Sequence, residues 1–406
     1  MKSKSSRALA LQSTPRLPLT GQLLFSMLEK LQYGRLSVTT PEGWTHSFGK
    51  QSGGLDAELH IHDWRAARLI MGQGDIGFAD SLRQGWVSSS CLLSLFRLAI
   101  QNQQALEQAI HGKWWALLVR RFTHLWLRNN SRAGSQRNIQ AHYDLGNHFY
   151  QLWLDASMTY SAAWFGDQPD QPLEQAQHAK YQRILDELNA QPGQQILEIG
   201  CGWGGFAEYA AKRGLRVYGI TLSPAQLAFA QQRLQTQGLD HLVSLKLQDY
   251  RDLQGEYDHI VSIEMLEAVG EAHWPTYFNI LQRSLKTNGR AVIQCIDIAD
   301  EHFDHYRSST DFIQQFIFPG GMLPSPSILH RQADKAGLKI AKQQSFGLDY
   351  AATLRRWHSA FMSQLATVHE QGFDDAFVRL WEMYLKYCEA GFMEHRTDVK
   401  LWTLHH

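Results

Sequence analysis

The 406 residues include only four cysteines, Cys91, Cys201, Cys295 and Cys388, none at metal-ligand spacing from another. A disulfide framework and a zinc module are therefore not expected, and the four read as free thiols of a reducing compartment. Net charge is also missing, because 39 Lys and Arg balance 39 Asp and Glu. Neutrality argues against a general nucleic-acid binder, though it leaves room for local basic patches. No uninterrupted apolar stretch approaches the roughly 20 residues of a spanning helix. Pro15 and Pro18 cut the short apolar run near the start, which makes it a poor signal peptide. There is no internal repeat and no low-complexity tract. What remains is a globular composition, 44% hydrophobic and 19% charged, in a chain long enough for about two or three structural units. The expectation is a cytoplasmic protein, free or peripherally attached to a membrane.

Composition and periodicity divide the chain. Residues 1–20 read as a disordered lead and 21–128 as a small α+β domain. That domain carries a helix over Gln22–Leu31, strand-like alternation at Arg35–Thr40 and Glu58–His62, and a glycine-rich turn over Gly72–Gly77. A helical stretch follows over Leu92–Gln108. A polar linker occupies 129–140. From Gln195 onward strands and helices alternate, which predicts an α/β fold with a Rossmann-like parallel sheet covered on both faces. Strands fall near 195–199, 215–220, 242–247, 257–263 and 289–296, and helices near 203–213, 224–237 and 272–286. The tail from Tyr350 to Met393 is aromatic and helical. The whole of 141–406 forms the second domain, whose ligand belongs at the carboxyl ends of its strands.

One segment carries the chemistry. Ile196-Leu197-Glu198-Ile199-Gly200-Cys201-Gly202-Trp203-Gly204-Gly205-Phe206 is an apolar strand, a tight glycine bend and a helix start. Gly200, Gly202 and Gly205 also satisfy the spacing of the dinucleotide fingerprint G-x-G-x-x-G, which does not by itself name the ligand. Glu198-x-Gly200-x-Gly202 after a strand is the pattern of S-adenosylmethionine sites, with backbone passing close to the ligand. Cys201 and Gly204 belong to the same bend. The next strand ends Gly219-Ile220-Thr221-Leu222-Ser223-Pro224 and lacks the acid that many nucleoside sites place there. Thr221, Leu222 and Gln226 stand in its place. Ser223 reads equally well as a helix cap, and Pro224 suits a first helical turn. A third strand ends at Asp249-Tyr250-Arg251, placed to meet an adenine.

With these residues the chain resembles the cyclopropane fatty acid synthase family of S-adenosylmethionine-dependent enzymes. The likeness extends to His142–Asn147, Met158–Phe165, Glu264-Met265-Leu266-Glu267-Ala268-Val269-Gly270, Phe316–Ser325 and Phe346–Tyr350, with a weaker match at Gly74–Gly85 to the family's N-terminal lipid-associated unit. The resemblance implies transfer of the cofactor's methyl to a cis double bond of an unsaturated phospholipid acyl chain at the membrane surface, and a homodimer. It implies that Tyr160, Ser161, Gly200, Gly202, Thr221, Gln226, Tyr250 and Arg251 line the cofactor. A bound bicarbonate, the family's general base, would be held by the main chain at Ala162 and by Glu267, Gln294, Ile296 and Tyr350. No metal is implied. Two positions depart from the pattern, for a cysteine is usual at 162 and a histidine at 294. A neutral amide holds an anion less well than a cation does.

An alkene takes a methyl group only from a strong electrophile, held in line at about 3–3.5 Å. The step leaves a carbocation that aromatic faces stabilise, and Tyr160, Trp164 and Tyr350 are candidates. Loss of a proton from the delivered methyl closes a cyclopropane ring, the leading product. Loss from a neighbouring chain carbon leaves a methyl or methylene branch. Glu267 either anchors the base or is the base. A catalytically inactive lipid-binding protein and a small-molecule methyltransferase are the remaining alternatives. Over Lys113–Arg128, five basic side chains share one helical face opposite a tryptophan-rich one. Such a helix suits anionic lipid, and equally a surface helix packed on the core.

Overall fold

The computed structural model describes residues 17–50, 54–110 and 145–406. The basic stretch 113–128, the linker 129–140 and His142–Asp144 lie outside the described residues, as does most of the expected lead. The first helix, Leu19–Leu28, begins inside that lead.

The N-terminal unit is a four-stranded sheet in the order β2-β1-β3-β4. Its strands are β1 Arg35–Thr39, β2 Thr45–Gly49, β3 Asp56–Ile61 and β4 Val87–Ser88. Alternation places Leu36, Val38, Leu59 and Ile61 inward, against Leu24, Leu28 and Leu98 of the flanking helices. The glycine-rich segment 72–77 is not a free turn. It lies inside the helix Arg65–Arg83, which kinks at Gly74 (φ 59°, ψ −132°). The apolar residues of both halves keep facing the core, so packing outweighs the local glycine preference. Gly77 permits the sharp bend, since a Cβ there would stand 2.1 Å from the Leu69 carbonyl oxygen.

The second unit is a seven-stranded mixed sheet, β10-β11-β9-β8-β5-β6-β7, with helices on both faces. Five strands are parallel: β5 Gln195–Ile199, β6 Arg216–Thr221, β7 Val243–Leu247, β8 Tyr257–Ile263 and β9 Leu285–Ile298. The chain leaves β5 in one direction to β7 and returns on its other side through β8. That reversal opens a crevice at the carboxyl ends of β5, β6 and β8. Two strands and one long helix were not anticipated. The tail does form helices over Gly347–Ser363, Leu365–Glu370 and Asp375–Met393. It then ends in a strand, β11 Thr397–His405, antiparallel to β9 and paired with the edge strand β10 Lys339–Ser345. The polar sequence of β10 gives no strand periodicity. The helix Leu173–Leu188 packs Tyr181, Ile184 and Leu188 inward.

The two units are joined along the Asp375–Met393 helix. Arg97 donates to Glu394 just beyond it, and Arg379 reaches the Leu82 and Arg83 carbonyls at 2.9 and 2.7 Å. A ring cluster, Phe149, Trp153, Tyr160, Trp357 and Trp381, packs beneath the site. Among the described residues no helix is long and apolar enough to cross a membrane.

Candidate active site

The glycine bend sits where the crossover predicts. Gly200 and Cys201 both donate backbone N–H to the Ile220 carbonyl, at 3.0 and 2.9 Å, which ties the end of β5 to β6. Gly202 adopts φ 50°, and a Cβ there would meet no protein atom within 4 Å. It would point into open space, and that space is a cavity of about 1090 Å³. The volume exceeds the roughly 300–1000 Å³ of ordinary small-ligand sites. At one end the cavity is lined by Glu198, Gly200, Cys201, Gly202, Thr221, Leu222, Gln226 and Tyr250. At the other it reaches Leu24, Leu28, Leu36, Leu59, Phe96 and Leu98 of the N-terminal unit.

These residues fit S-adenosylmethionine. Glu198 is buried, and its Oε2 has no hydrogen-bond partner among the described residues. Burial pushes its carboxyl well above the ordinary value, and a donor from a bound ligand would relieve that cost. Thr221 Oγ1 donates to Gln226 Oε1 at 3.0 Å, and Ser223 caps the Pro224–Thr236 helix by accepting from Gln226 N–H. Three expected neighbours stand elsewhere. Gly204 does not line the cavity, since its Cβ position faces Ala230 at 3.0 Å on the next helix. Arg251 is outside the lining as well and clamps Asp249 with two hydrogen bonds, at 2.8 and 2.6 Å. Trp164 turns toward Phe346 and under the Arg183 guanidinium, 4.2 Å above its ring, so it is not one of the faces available to a cation. Tyr160 and Tyr350 do line the cavity, and Tyr160 and Tyr384 share a hydroxyl hydrogen bond of 2.7 Å.

The residues assigned to bicarbonate come together around a side chain to which the sequence analysis gave no role. Glu264 Oε1 accepts from the Ala162 N–H at 2.9 Å and from Gln294 Nε2 at 2.7 Å. Its Oε2 accepts from the Tyr350 hydroxyl at 2.7 Å. Ala162 and Gln294 are fully buried and outside the cavity lining, and they act on it through Glu264. The Glu264 backbone has φ 50°, a left-handed conformation that costs a non-glycine residue about 1 kcal/mol or more. It is fixed there by its own N–H, which donates to the Gln294 carbonyl at 2.8 Å. Burial pushes the Glu264 carboxyl up, while Lys180 and the three donors pull it down. Burial also lowers the Lys180 ammonium, to about 7, against the attraction of Glu264 and Asp155. Lys180 is completely buried and donates to Ser161 Oγ. The three donors and Lys180 favour the carboxylate form of Glu264.

Glu267 differs. It lines the cavity, and its Oε1 accepts from the Ile296 N–H at 2.6 Å. Burial, and then the Glu264 charge, raise its carboxyl to about 8. Burial raises both carboxyls, but the donors and Lys180 oppose the rise at Glu264, whereas Glu267 keeps its proton near pH 7. The folded protein therefore keeps the Glu267 proton between about pH 4.5 and 8, where the unfolded chain has released it. Stability falls as pH rises through that window. Glu267→Gln is expected to raise the unfolding temperature at pH 8, by on the order of a few kcal/mol of stability, and to leave it unchanged near pH 4.5. Paired thermal melts at the two pH values check this, and an equal difference at both would refute it.

Comparison with known proteins agrees with the geometry. A family model described as mycolic acid cyclopropane synthetase matches residues 130–402. The chain is 38% identical over 382 residues to the tuberculostearic acid methyltransferase UfaA1 of Mycobacterium tuberculosis, covering 91% of this chain and 89% of that one. It is 32% identical over 358 residues to the cyclopropane-fatty-acyl-phospholipid synthase of Escherichia coli strain K12, covering 86% and 88%. Among solved structures, mycolic acid cyclopropane synthase CmaA1 complexed with SAH and CTAB matches with a TM-score of 0.62 at 30% identity, over 67% of this chain and 98% of that one.

Proposed function

Since this chain belongs to the mycolic acid cyclopropane synthetase family and is an S-adenosylmethionine-dependent methyltransferase, we propose that it methylates the cis double bond of an unsaturated phospholipid acyl chain. The observation that carries this reading is the cavity. One continuous space joins the glycine bend to an apolar pouch walled by the N-terminal unit. A soluble, polar substrate would have no use for the leucine-rich end.

S-adenosylmethionine, when bound, supplies an electrophilic methyl on a sulfonium. Glu198, Thr221, Gln226 and the bend at 200–202 would hold it. Leu24, Leu28, Phe96 and Leu98 would hold the acyl tail and keep water out. Tyr160 and Tyr350 present aromatic faces to the charge that develops on the chain. The enzyme would meet its substrate as a peripheral protein on the inner face of the membrane, with the N-terminal unit as its lipid-facing part.

Ring closure is the first reading of the product. A second reading, a methyl or methylene branch, is favoured by the departures at Ala162 and Gln294, which alter the surroundings of the base. The test is incubation of the purified protein with S-adenosylmethionine and dioleoyl phosphatidylglycerol vesicles. S-adenosylhomocysteine should accumulate, and the acyl chains should gain the mass of one CH₂. Fragmentation in the mass spectrometer separates ring from branch. Turnover on a water-soluble acceptor without any lipid would overturn the proposal.

A further inference from the structure

Bicarbonate does not fit this site. The Ala162 N–H, the Gln294 amide and the Tyr350 hydroxyl already converge on the Glu264 carboxylate, and the Ile296 N–H is taken by Glu267. A free anion would compete for the same donors and would lie against an existing negative charge. We propose that Glu264 is the general base of this enzyme, a carboxylate built into the chain where a diffusible anion would otherwise be bound. The proposal rests on the preceding reading of the reaction.

Four observations support it. Glu264 lines the cavity together with Tyr160 and with Tyr350, whose hydroxyl it holds. Its backbone holds a left-handed conformation, φ 50°, that glycine would adopt freely. A buried charged side chain at such a position needs strong compensation, and three donors together with the buried Lys180 supply it. The departures at 162 and 294 also find a reason. A loosely held anion needs cationic or numerous donors, whereas a tethered carboxylate needs only orientation, which the Gln294 amide and the Ala162 N–H provide. Gln294 fixes both ends of the residue, accepting its backbone N–H and donating to its side chain.

The step balances. The alkene π pair forms a bond to the methyl carbon of the sulfonium donor, and the carbon–sulfur bond breaks with its pair left on sulfur. The acyl chain then carries one positive charge. Glu264 takes a proton either from the delivered methyl, whose freed pair closes the ring onto the cationic carbon, or from a chain carbon adjacent to the charge, whose freed pair forms a new double bond. A sulfonium and a carboxylate become a neutral thioether and a neutral carboxylic acid, which gives its proton to water once product leaves.

Two arms test this. In the binding arm, ¹³C-bicarbonate is titrated by NMR into the wild type and into Glu264→Gly, a substitution the positive φ accommodates. The wild type should take up none, while the glycine variant should broaden the bicarbonate signal because its donors are vacated. In the turnover arm, Glu264→Gln should keep S-adenosylmethionine affinity and melting temperature and lose about 10²–10⁴-fold in turnover. Wild-type turnover should be indifferent to removal of carbon dioxide from the buffer. Bicarbonate uptake by the wild type, none by Glu264→Gly, a bicarbonate-dependent wild-type rate, or full activity in Glu264→Gln would each overturn the assignment. An absence of any turnover on unsaturated lipid would refute the reaction itself, and the binding arm would still decide the role of Glu264.

Discussion

Gly202→Val is expected to remove S-adenosylmethionine binding, with affinity falling at least about 10²-fold, equivalent to about 2.7 kcal/mol. The absence of protein atoms near a Cβ at 202 means that a side chain would not clash with the fold. It would enter the cavity where the cofactor's methionine part belongs, between Glu198 and Thr221. The position also has φ 50°, which a β-branched residue tolerates poorly. Gly202→Ala should give an intermediate loss, which separates blocking from backbone strain. Isothermal calorimetry on folded variants is the measurement, and unchanged affinity in the valine variant would place the cofactor elsewhere.

Cys388→Trp is expected to leave cofactor affinity within a few-fold and to lower kcat/KM on long-chain lipid by at least about 10²-fold, since small displacements from reacting distance are that costly. Cys388 lies deep between the units, on the Asp375–Met393 helix, yet keeps accessible surface because that surface faces the cavity. Burial raises its thiol well above the ordinary range, so it behaves as a small apolar side chain rather than a nucleophile. An indole there would fill the passage between the bend and the pouch. The cost of overpacking, roughly 1–3 kcal/mol, is followed by thermal melting. Undiminished turnover on oleoyl chains would show that the tail takes another path.

Local signals made the nucleotide half legible. The apolar run 196–199, the bend 200–204 and Pro224 after Ser223 each impose their own geometry, and β5 through β9 stand where the alternation of elements predicts. Reasoning from the sequence went astray where distant contacts override local preference. Gly72–Gly77 suggests a turn by composition, but the core holds those residues in a kinked helix. β10 and β11 pair only because β9 offers an antiparallel edge. Trp164 and Arg251 are engaged by Arg183 and Asp249 and stand outside the cavity lining.

The sequence by itself determined the α/β scaffold, the glycine bend and the departures at 162 and 294, because short-range periodicity and backbone freedom are written residue by residue. Only the tertiary structure decided which carboxylate gathers the donors at the site. Glu264 and Glu267 look alike in the sequence, and their difference comes from partners 102, 30 and 86 positions away from Glu264. It comes also from the burial of Lys180, and desolvation together with donor geometry exists only once those segments have packed together.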